Sequence, residues 1–317
     1  MVSILIPVFN SKFFLYESIQ SILNQSFTDL EVIVVDDASS DNSPSIVHNL
    51  KDSRIKFIQL TKNLGIGGAL NVGLNHAKGK YIVRMDADDI AYPNRIDQQV
   101  QFMEKNPSIG VSGTLAEYFD GTPFNRVVKN EYLRPSLLLD CPFVHPTVII
   151  QKEILDKSGL QFSGYLEDYQ LWIELSKITE FGLLPEILLK YRRSESQFTA
   201  QNFDKRSNEA NRLRISMAEY WLGRSITTTE KNIVSLNISE ENQPELKMVQ
   251  TFCKELLEKA SWSDSTQTLE VIKKLFFRNF YRTPMRLRSN FQILNIDFLS
   301  LREKLNLLKK SNFSEIS

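Results

Sequence analysis

An α/β fold with a mainly parallel, helix-covered sheet is predicted by three observations in this 317-residue chain. Its first half alternates apolar strand runs with helix-spaced stretches, an order that lays parallel strands beneath crossover helices. Two of the apolar runs end in clustered carboxylates, Asp36-Asp37 and Asp86-Ala87-Asp88-Asp89. Open α/β sheets bind their ligands outside the carboxyl ends of strands. Turn and helix-start residues, among them Ser43-Pro44, Gly65 and Pro93, punctuate the runs.

Each element follows in order. Val2 to Val8 reads as an apolar strand, and Phe13 to Leu23 as a helix with Phe14, Ile19, Ile22 and Leu23 on one stripe. Glu31 to Val35 is a second strand. Ser43-Pro44 starts a helix with Ser at the N-cap and Pro at the first turn. Ile55 to Leu60 is a third strand, Gly65 to His76 a glycine-entered helix, and Tyr81 to Met85 a fourth strand. Pro93 opens a helix running to about Lys105. Beyond it, Ile109 to Ser112 and Thr147 to Gln151 read as strands, and Tyr118 to Asn125 as a turn or hairpin around Asp120-Gly121. Glu167 to Ile178 reads as a helix and Ile187 to Arg193 as the last strand. Helical patterns follow over Lys205 to Leu222 and Glu240 to Lys259.

Bulk properties narrow the function. A formal net charge of +0 argues against a nucleic-acid binder. The two cysteines, Cys141 and Cys253, are far apart and lack CxxC spacing, so free thiols in a reducing cytosol are expected rather than a zinc site or a disulfide framework. The start, MVSILIPVFN, has no basic n-region and is not expected to be a signal peptide. No run approaches the roughly 18 apolar residues of a spanning helix.

The acid runs carry the chemistry. Three carboxylates within four positions after a buried strand repel one another unless a cation joins them. A hard divalent ion held by oxygen ligands, its shell completed by a phosphate, meets that need. An exposed acidic turn before the helix at Pro93 is the plainer reading, and it fits Asp89 as well as a ligand role does. Glycines at 65, 67 and 68 lack both the Lys-Ser/Thr of a P-loop and the spacing of a dinucleotide fold.

Taken together and in order, VSILIPVFN, SILNQSF, LEVIVVDDASSDNS, NLGIGGALNVGLNHAKGKYIVRMDADD and GYLEDYQLW resemble a family 2 glycosyltransferase over roughly residues 1 to 200. The resemblance implies the GT-A fold, a mixed sheet flanked by helices, with a helical C-terminal extension. It divides the chain into a transferase domain over 1–204 and a helical basic region over 205–317. Within the first, 1–108 would be the nucleotide-binding half and 109–204 the acceptor and catalytic half. It further implies an inverting, metal-dependent hexosyl transfer from a nucleotide-sugar, a UDP-sugar first, to a saccharide acceptor.

Residue roles also come from the resemblance. Pro7, Phe9 and Asp37 would hold the base: a carboxylate can accept the imide N–H of uracil and a ring can cover its face. Core packing of Phe9 and turn capping by Asp36 and Asp37 are the alternatives. Asn63, Gly65, Gly68 and Asn71 would wrap the nucleotide. Asp88 would bind Mn2+ or Mg2+, with Asp86 on the ribose or in the metal shell. Asp168, second acid of the Glu167-Asp168 pair, would be the base that deprotonates the acceptor hydroxyl. Glu167 would lie against the donor, or merely favour a helix N-terminus. His145 would touch donor or acceptor, or be a satisfied structural histidine. Trp172 is expected in the core. Many relatives carry a histidine where this chain has Ser194, which leaves Arg192 or Arg193 as candidates to neutralise the diphosphate.

Residues 271–310 hold ten Lys and Arg against two acids, ten minus two or +8, interleaved with aromatics. This suits either contact with an anionic membrane or polyprenyl-diphosphate lipid, or a helical tail docked on the core. The expected setting is bacterial surface-polysaccharide assembly in the cytoplasm, at the inner face of the plasma membrane. The rival is a non-catalytic sugar-nucleotide or glycan-binding protein with a degenerate site. A nucleotidyltransferase is disfavoured, because the first strand leads into Pro7-Val8-Phe9-Asn10 and not into a basic phosphate cradle.

Overall fold

A computed structural model describes residues 1–124, 130–193, 203–235, 244–259 and 265–282, together with 299, 300 and 303. They fall into two compact units, 1–133 with 141–206 and 134–140 with 207–317. In the first, the chain runs β1 (Val2–Val8), α1 (Leu15–Leu23), β2 (Leu30–Asp36), α2 (Ser43–Asn49), β3 (Ile55–Gln59), α3 (Gly65–His76), β4 (Tyr81–Arg84), β5 (Ile90–Ala91), α4 (Arg95–Lys105) and β6 (Ile109–Tyr118). After α5 (Leu133–Ser136), all but its first residue counted in the second unit, come β7 (Ile149–Gln151), α6 (Lys152–Ser158), α7 (Glu167–Leu175) and β8 (Glu180–Tyr191).

The sheet order is β3-β2-β1-β4-β7-β6-β8-β5. Strands β3, β2, β1 and β4 are parallel, β7 runs antiparallel to both β4 and β6, and β6 pairs parallel with β8. The sheet is therefore mixed. One face buries Ile4, Ile6, Val32, Val34 and Val83 against Leu15, Ile19 and Ile22 of α1 and Ile96 and Met103 of α4. The other carries α3, pressed so close that a Cβ on Gly73 would lie 3.2 Å from Leu5 and 3.4 Å from Val35. After β3, α3 carries the chain back across the sheet, so β4 lies on the opposite side of β1 from β2. Connections leaving in opposite directions open a crevice beyond the carboxyl ends of β1 and β4.

Most elements lie where periodicity puts them, with informative exceptions. Asn42, not Ser43, precedes α2, and the Ser43 hydroxyl instead accepts the Ser11 N–H at 2.9 Å. Strand β8 begins at Glu180 rather than Ile187, because Pro185-Glu186 interrupts its apolar pattern where the β6–β8 register slips. The expected turn after β6 forms, with Thr122 N–H on Asp120 Oδ1 at 2.8 Å; Asn125 lies outside the described residues.

The second unit is helical among its described residues, with α8 (Phe203–Leu222), α9 (Thr228–Ser235), α10 (Leu246–Lys259) and α11 (Ser265–Arg282). Val271, Ile272, Leu275 and Phe276 of α11 are buried, and Lys273 pairs with Glu270 and Glu303 at 3.3 and 3.2 Å. This part of the basic stretch is packed; 283–298 and 304–310 lie outside the described residues. Cys141 and Cys253 are not joined in a disulfide. No helix among the described residues is long and apolar enough to cross a membrane.

Helix α4 illustrates long-range capping. Asn94 makes no side-chain cap bond. The buried Gln25 supplies it: Oε1 accepts the Ile96 N–H at 3.0 Å while Nε2 donates to Tyr92 O at 2.7 Å. Gln25→Leu would strand the buried Ile96 N–H and take the amide from Ser21 O, while Tyr92 O keeps the Arg95 N–H, and the expected loss in a denaturant melt is about 2–4 kcal/mol. A change below 0.5 kcal/mol would show that water replaces the amide without cost.

Candidate active site

The crevice is built from four loops at the carboxyl ends of the central strands. The loops after β1 and β2 are laced together: Asn10 N–H donates to Ser39 Oγ, Ser40 N–H to Asn10 Oδ1 (both 2.9 Å), and Lys12 N–H to Asp41 Oδ2 at 3.1 Å. Asn10 and Ala38 are left-handed, at φ 51° and 59°, a conformation costly for a residue with a Cβ and held here by those bonds. Phe9 therefore stands 52% exposed beyond β1 and does not pack in the core, while Pro7 is half-buried.

Asp36 and Asp37 divide their work. Asp36 is fully buried and caps the following turn through Ser39 N–H at 3.2 Å. Asp37 accepts the Leu64 N–H at 2.7 Å, and the Asn63 amide donates to the Asp37 carbonyl at 3.2 Å. Burial pushes the Asp37 carboxyl above its ordinary value, against the pull of the Leu64 and Gly65 N–H groups. Asp37, Asn63 and Gly65, the last at φ 75°, thus form one corner. Asn71 is tied elsewhere: its amide donates to Phe162 O at 2.8 Å and accepts Phe162 N–H at 2.9 Å, anchoring the loop before α7.

The acid loop after β4 is pinned from several sides. Ser18 Oγ donates to the Asp86 carbonyl at 2.7 Å, and Arg192 Nε donates to the Asp88 carbonyl at 2.8 Å. Asp89, almost fully buried, accepts the Arg192 N–H at 2.8 Å, which assigns it the ordering of β8's end; its second oxygen is buried without a partner. One oxygen each from Asp86, Asp88 and Asp89 lie within 4.8 Å of one another. Burial first, then the Asp86 charge, raises Asp88 to about 6 and lifts Asp89 well above a normal carboxyl. An all-oxygen, over-charged cluster with an orphaned buried oxygen fits a hard divalent cation.

Beneath the loop lies a residue that periodicity alone did not single out. Arg84, the last residue of β4, is buried, with Nη1 2.5 Å from Asp86 Oδ2 and a buried Nε that has no partner. Its charge is felt at Asp88, His145 and Glu167. His145 and Glu167 are buried neighbours, Nδ1 to Oε1 3.5 Å. Burial, then Arg84, pulls His145 down to about 3, so the ring is neutral, and its Nε2 has no partner. Burial raises Glu167. Asp168, half-buried at the start of α7, accepts its neighbour's Tyr169 N–H at 2.7 Å and lies 3.5 Å from the Cys141 thiol. Trp172 is in the core, edge-on to His145 and Phe143.

Asp86, Asp88, His145 and Glu167 therefore share one electrostatic neighbourhood around Arg84, and Asp168 joins it through His145. Pro7, Phe9 and Asp37 lie at the strand ends on its β1–β2 side. Arg192 is held between the rings of Phe14 and Phe119, and Arg193 over Tyr118; Ser194 lies outside the described residues. The signal for Arg84 was a charge inside an apolar run. Cys141 carried no signal at all.

Comparison with known proteins adds the following. The sequence profile of glycosyl transferase family 2 matches residues 3–161. An uncharacterized glycosyltransferase of Haemophilus influenzae is 31% identical over 242 residues, covering 71% of this chain and 75% of that protein. The Escherichia coli UDP-Glc:alpha-D-GlcNAc-diphosphoundecaprenol beta-1,3-glucosyltransferase WfgD is 31% identical over 206 residues, 64% and 81% of the two chains. Among solved structures, Staphylococcus aureus TarS 1–349 in complex with UDP-GlcNAc superposes with a TM-score of 0.61 at 18% identity, over 88% of each chain. A Pyrobaculum calidifontis mannosyltransferase in complex with GDP-Man and Mn2+ superposes at 0.53 with 16% identity, over 100% of this chain and 88% of that one.

The acid cluster predicts an unusual pH dependence. Asp88 titrates at about 6 when folded against 3.8 as a free side chain. The folded chain thus holds the extra proton between those values, and stability falls as pH rises through 6. Without metal, the Asp88 share lost between pH 4 and pH 8 is about 2–3 kcal/mol. Asp88→Asn should flatten that slope, and Mn2+ should raise the wild-type melting midpoint more at pH 8 than at pH 5. A mutant slope equal to the wild type's would refute the assignment.

Proposed function

The chain belongs to glycosyl transferase family 2, and on that premise we propose an inverting, metal-dependent transfer of a hexose from a UDP-sugar to a saccharide hydroxyl. The observation that supports this reading is that Arg84 and the β4 acid Asp86 act on Glu167 of α7, while Asp86 and Asp168 both act on His145. Asp37 and Phe9 take the uracil, the carboxylate accepting its imide N–H and the exposed ring covering its face. Asp88, with Asp86 and Asp89 beside it, would hold a divalent ion, which would supply positive charge for the departing diphosphate.

The remaining chemistry belongs to the protein. Asp168 takes the proton of the acceptor hydroxyl as that oxygen attacks the anomeric carbon from the face opposite the nucleotide. The bond to the diphosphate oxygen breaks as the new glycosidic bond forms, and the configuration inverts. Oδ1 rests on the Tyr169 N–H, which leaves Oδ2, beside Cys141, to receive the proton. The neutral His145, with its unpartnered Nε2, and Glu167 offer hydrogen-bonding groups to the sugar.

The acceptor in this reading is a saccharide on a polyprenyl diphosphate, supported by the name of the E. coli relative. Residues 1–204 form the catalytic domain and 205–317 a helical extension. Lipid contact, on this view, falls to cationic residues of 271–310 other than the buried apolar face of α11. The rival binding-module reading requires a degenerate site, and every acid it would need to lose is present.

Asp168→Asn tests the base. It should lower turnover by about 10²- to 10⁴-fold while the Kd for UDP, measured calorimetrically with Mn2+, stays within about twofold. Near wild-type turnover would move the base elsewhere. A panel of UDP-, GDP- and dTDP-sugars, each with and without Mn2+, should give its largest thermal shift with a UDP-sugar plus Mn2+. An equal shift from all three nucleotides would overturn the base assignment.

A further inference from the structure

Arg192 follows the last strand and has the placement of a strut. Its guanidinium carbon sits 4.0 Å from the centre of the Phe14 ring and 3.9 Å from that of Phe119, one ring leading into α1 and the other following β6. Nε donates to the Asp88 carbonyl at 2.8 Å, and Nη2 lies 3.5 Å from Glu17. The backbone N–H of the same residue binds the Asp89 carboxylate at 2.8 Å. The side chain is 19% exposed. One residue thus joins α1, the end of β6 and the acid loop.

A planar guanidinium can fill a slot between two rings and donate in its own plane; an ammonium cannot do both. The bond reaches the backbone of Asp88, not its carboxylate. It therefore sets where the carboxylate points without competing for its oxygens, which is how outer partners tune a metal ligand. A side chain free to grip a diphosphate would be extended into the crevice, whereas this one is stacked and bonded to the loop.

We propose that Arg192 is a positioning residue for the cation site: stacked between Phe14 and Phe119, it fixes the Asp88 main chain so that the three carboxylates stay within reach of one ion, and it does not serve as a diphosphate clamp. The proposal rests on the metal-dependent reading above. It makes three chain segments answerable to one side chain, and it predicts that charge alone cannot replace it.

The test measures Mn2+ affinity by the loss of the free-ion electron paramagnetic resonance signal, for wild type, Arg192→Lys, Arg192→Met and Phe119→Leu. Both arginine variants should weaken Mn2+ binding about 10- to 100-fold, with and without UDP. Phe119→Leu, at a partly exposed position outside the core, should weaken it less, in the same direction. At saturating Mn2+ the Kd of UDP, the KM of the donor and kcat should stay within about twofold of wild type. A diphosphate clamp gives the opposite pattern, unchanged Mn2+ affinity without nucleotide and weaker UDP at saturating metal, and would overturn the proposal. So would full rescue by lysine. If wild type itself binds no Mn2+, the metal-dependent reading fails and this proposal falls with it. Wild-type-like Mn2+ binding by Arg192→Met would remove the proposal alone.

Discussion

Three carboxylates forced together at the end of a buried strand are the constraint that organises the rest of this molecule. Their mutual repulsion and their loss of water both favour neutralisation, and Asp88 and Asp89 are displaced upward for those reasons. A permanent counter-charge is built in beneath them. Arg84 is buried at the end of β4 beside Asp86, and the charges of Asp86, Glu167 and Asp89 keep it protonated against its burial. Arg95 and Arg192 add positive charge, yet Asp88 and Asp89 stay raised, so the cationic side chains do not offset burial and mutual repulsion at the acids. The deficit is what gives the crevice its appetite for a cation.

Partners divide the acids into kinds that a motif does not distinguish. Asp86 is matched by Arg84, and its carbonyl by Ser18. Asp89 is tied to the end of β8. Asp88 is held by its main chain, and its carboxylate feels Arg84 only at longer range, behind burial and the Asp86 charge. The same reasoning separates Asp36, a buried cap of its own turn, from Asp37, also buried, whose carboxylate binds the 63–65 corner.

The fold was legible in the sequence wherever burial imposes a period. Strands β1 to β4 and helices α1 and α3 follow from apolar spacing, and their order foretells the switch that opens the crevice. The acids were legible because clustered charge after an apolar run is costly. What escaped notice depends on partners distant in sequence. Gln25 caps a helix some seventy residues away (~70 by its bond to Ile96), and Asn71 binds the backbone of Phe162. Neither bond leaves a local pattern. Arg84 sits inside an apolar run, and only its burial beside Asp86 shows its part in the site. Strand β5 has two residues, too few for any period, and Pro185 masks the first half of β8.

The buried polar chain under the site explains why its two acid sets can hold a fixed relation. Arg95, fully buried, donates from Nη2 to the Arg84 carbonyl and from Nε to Gln99 Oε1, both at 3.0 Å. Gln99 Nε2 donates to Thr147 O at 2.8 Å, and Thr147 Oγ1 to Val144 O at 2.7 Å. The route thus runs from the end of β4 to the turn that carries His145, whose ring in turn faces Glu167. Burial lowers Arg95 to about 9, yet Asp89 and Asp86 favour its charged form. A hydrophobic residue at 95 would pack as well but would leave Gln99 and the Arg84 carbonyl unmatched. The acids therefore reach back into the core: the charge cluster that suits the site for chemistry also supports the ionised arginines that hold its walls in register.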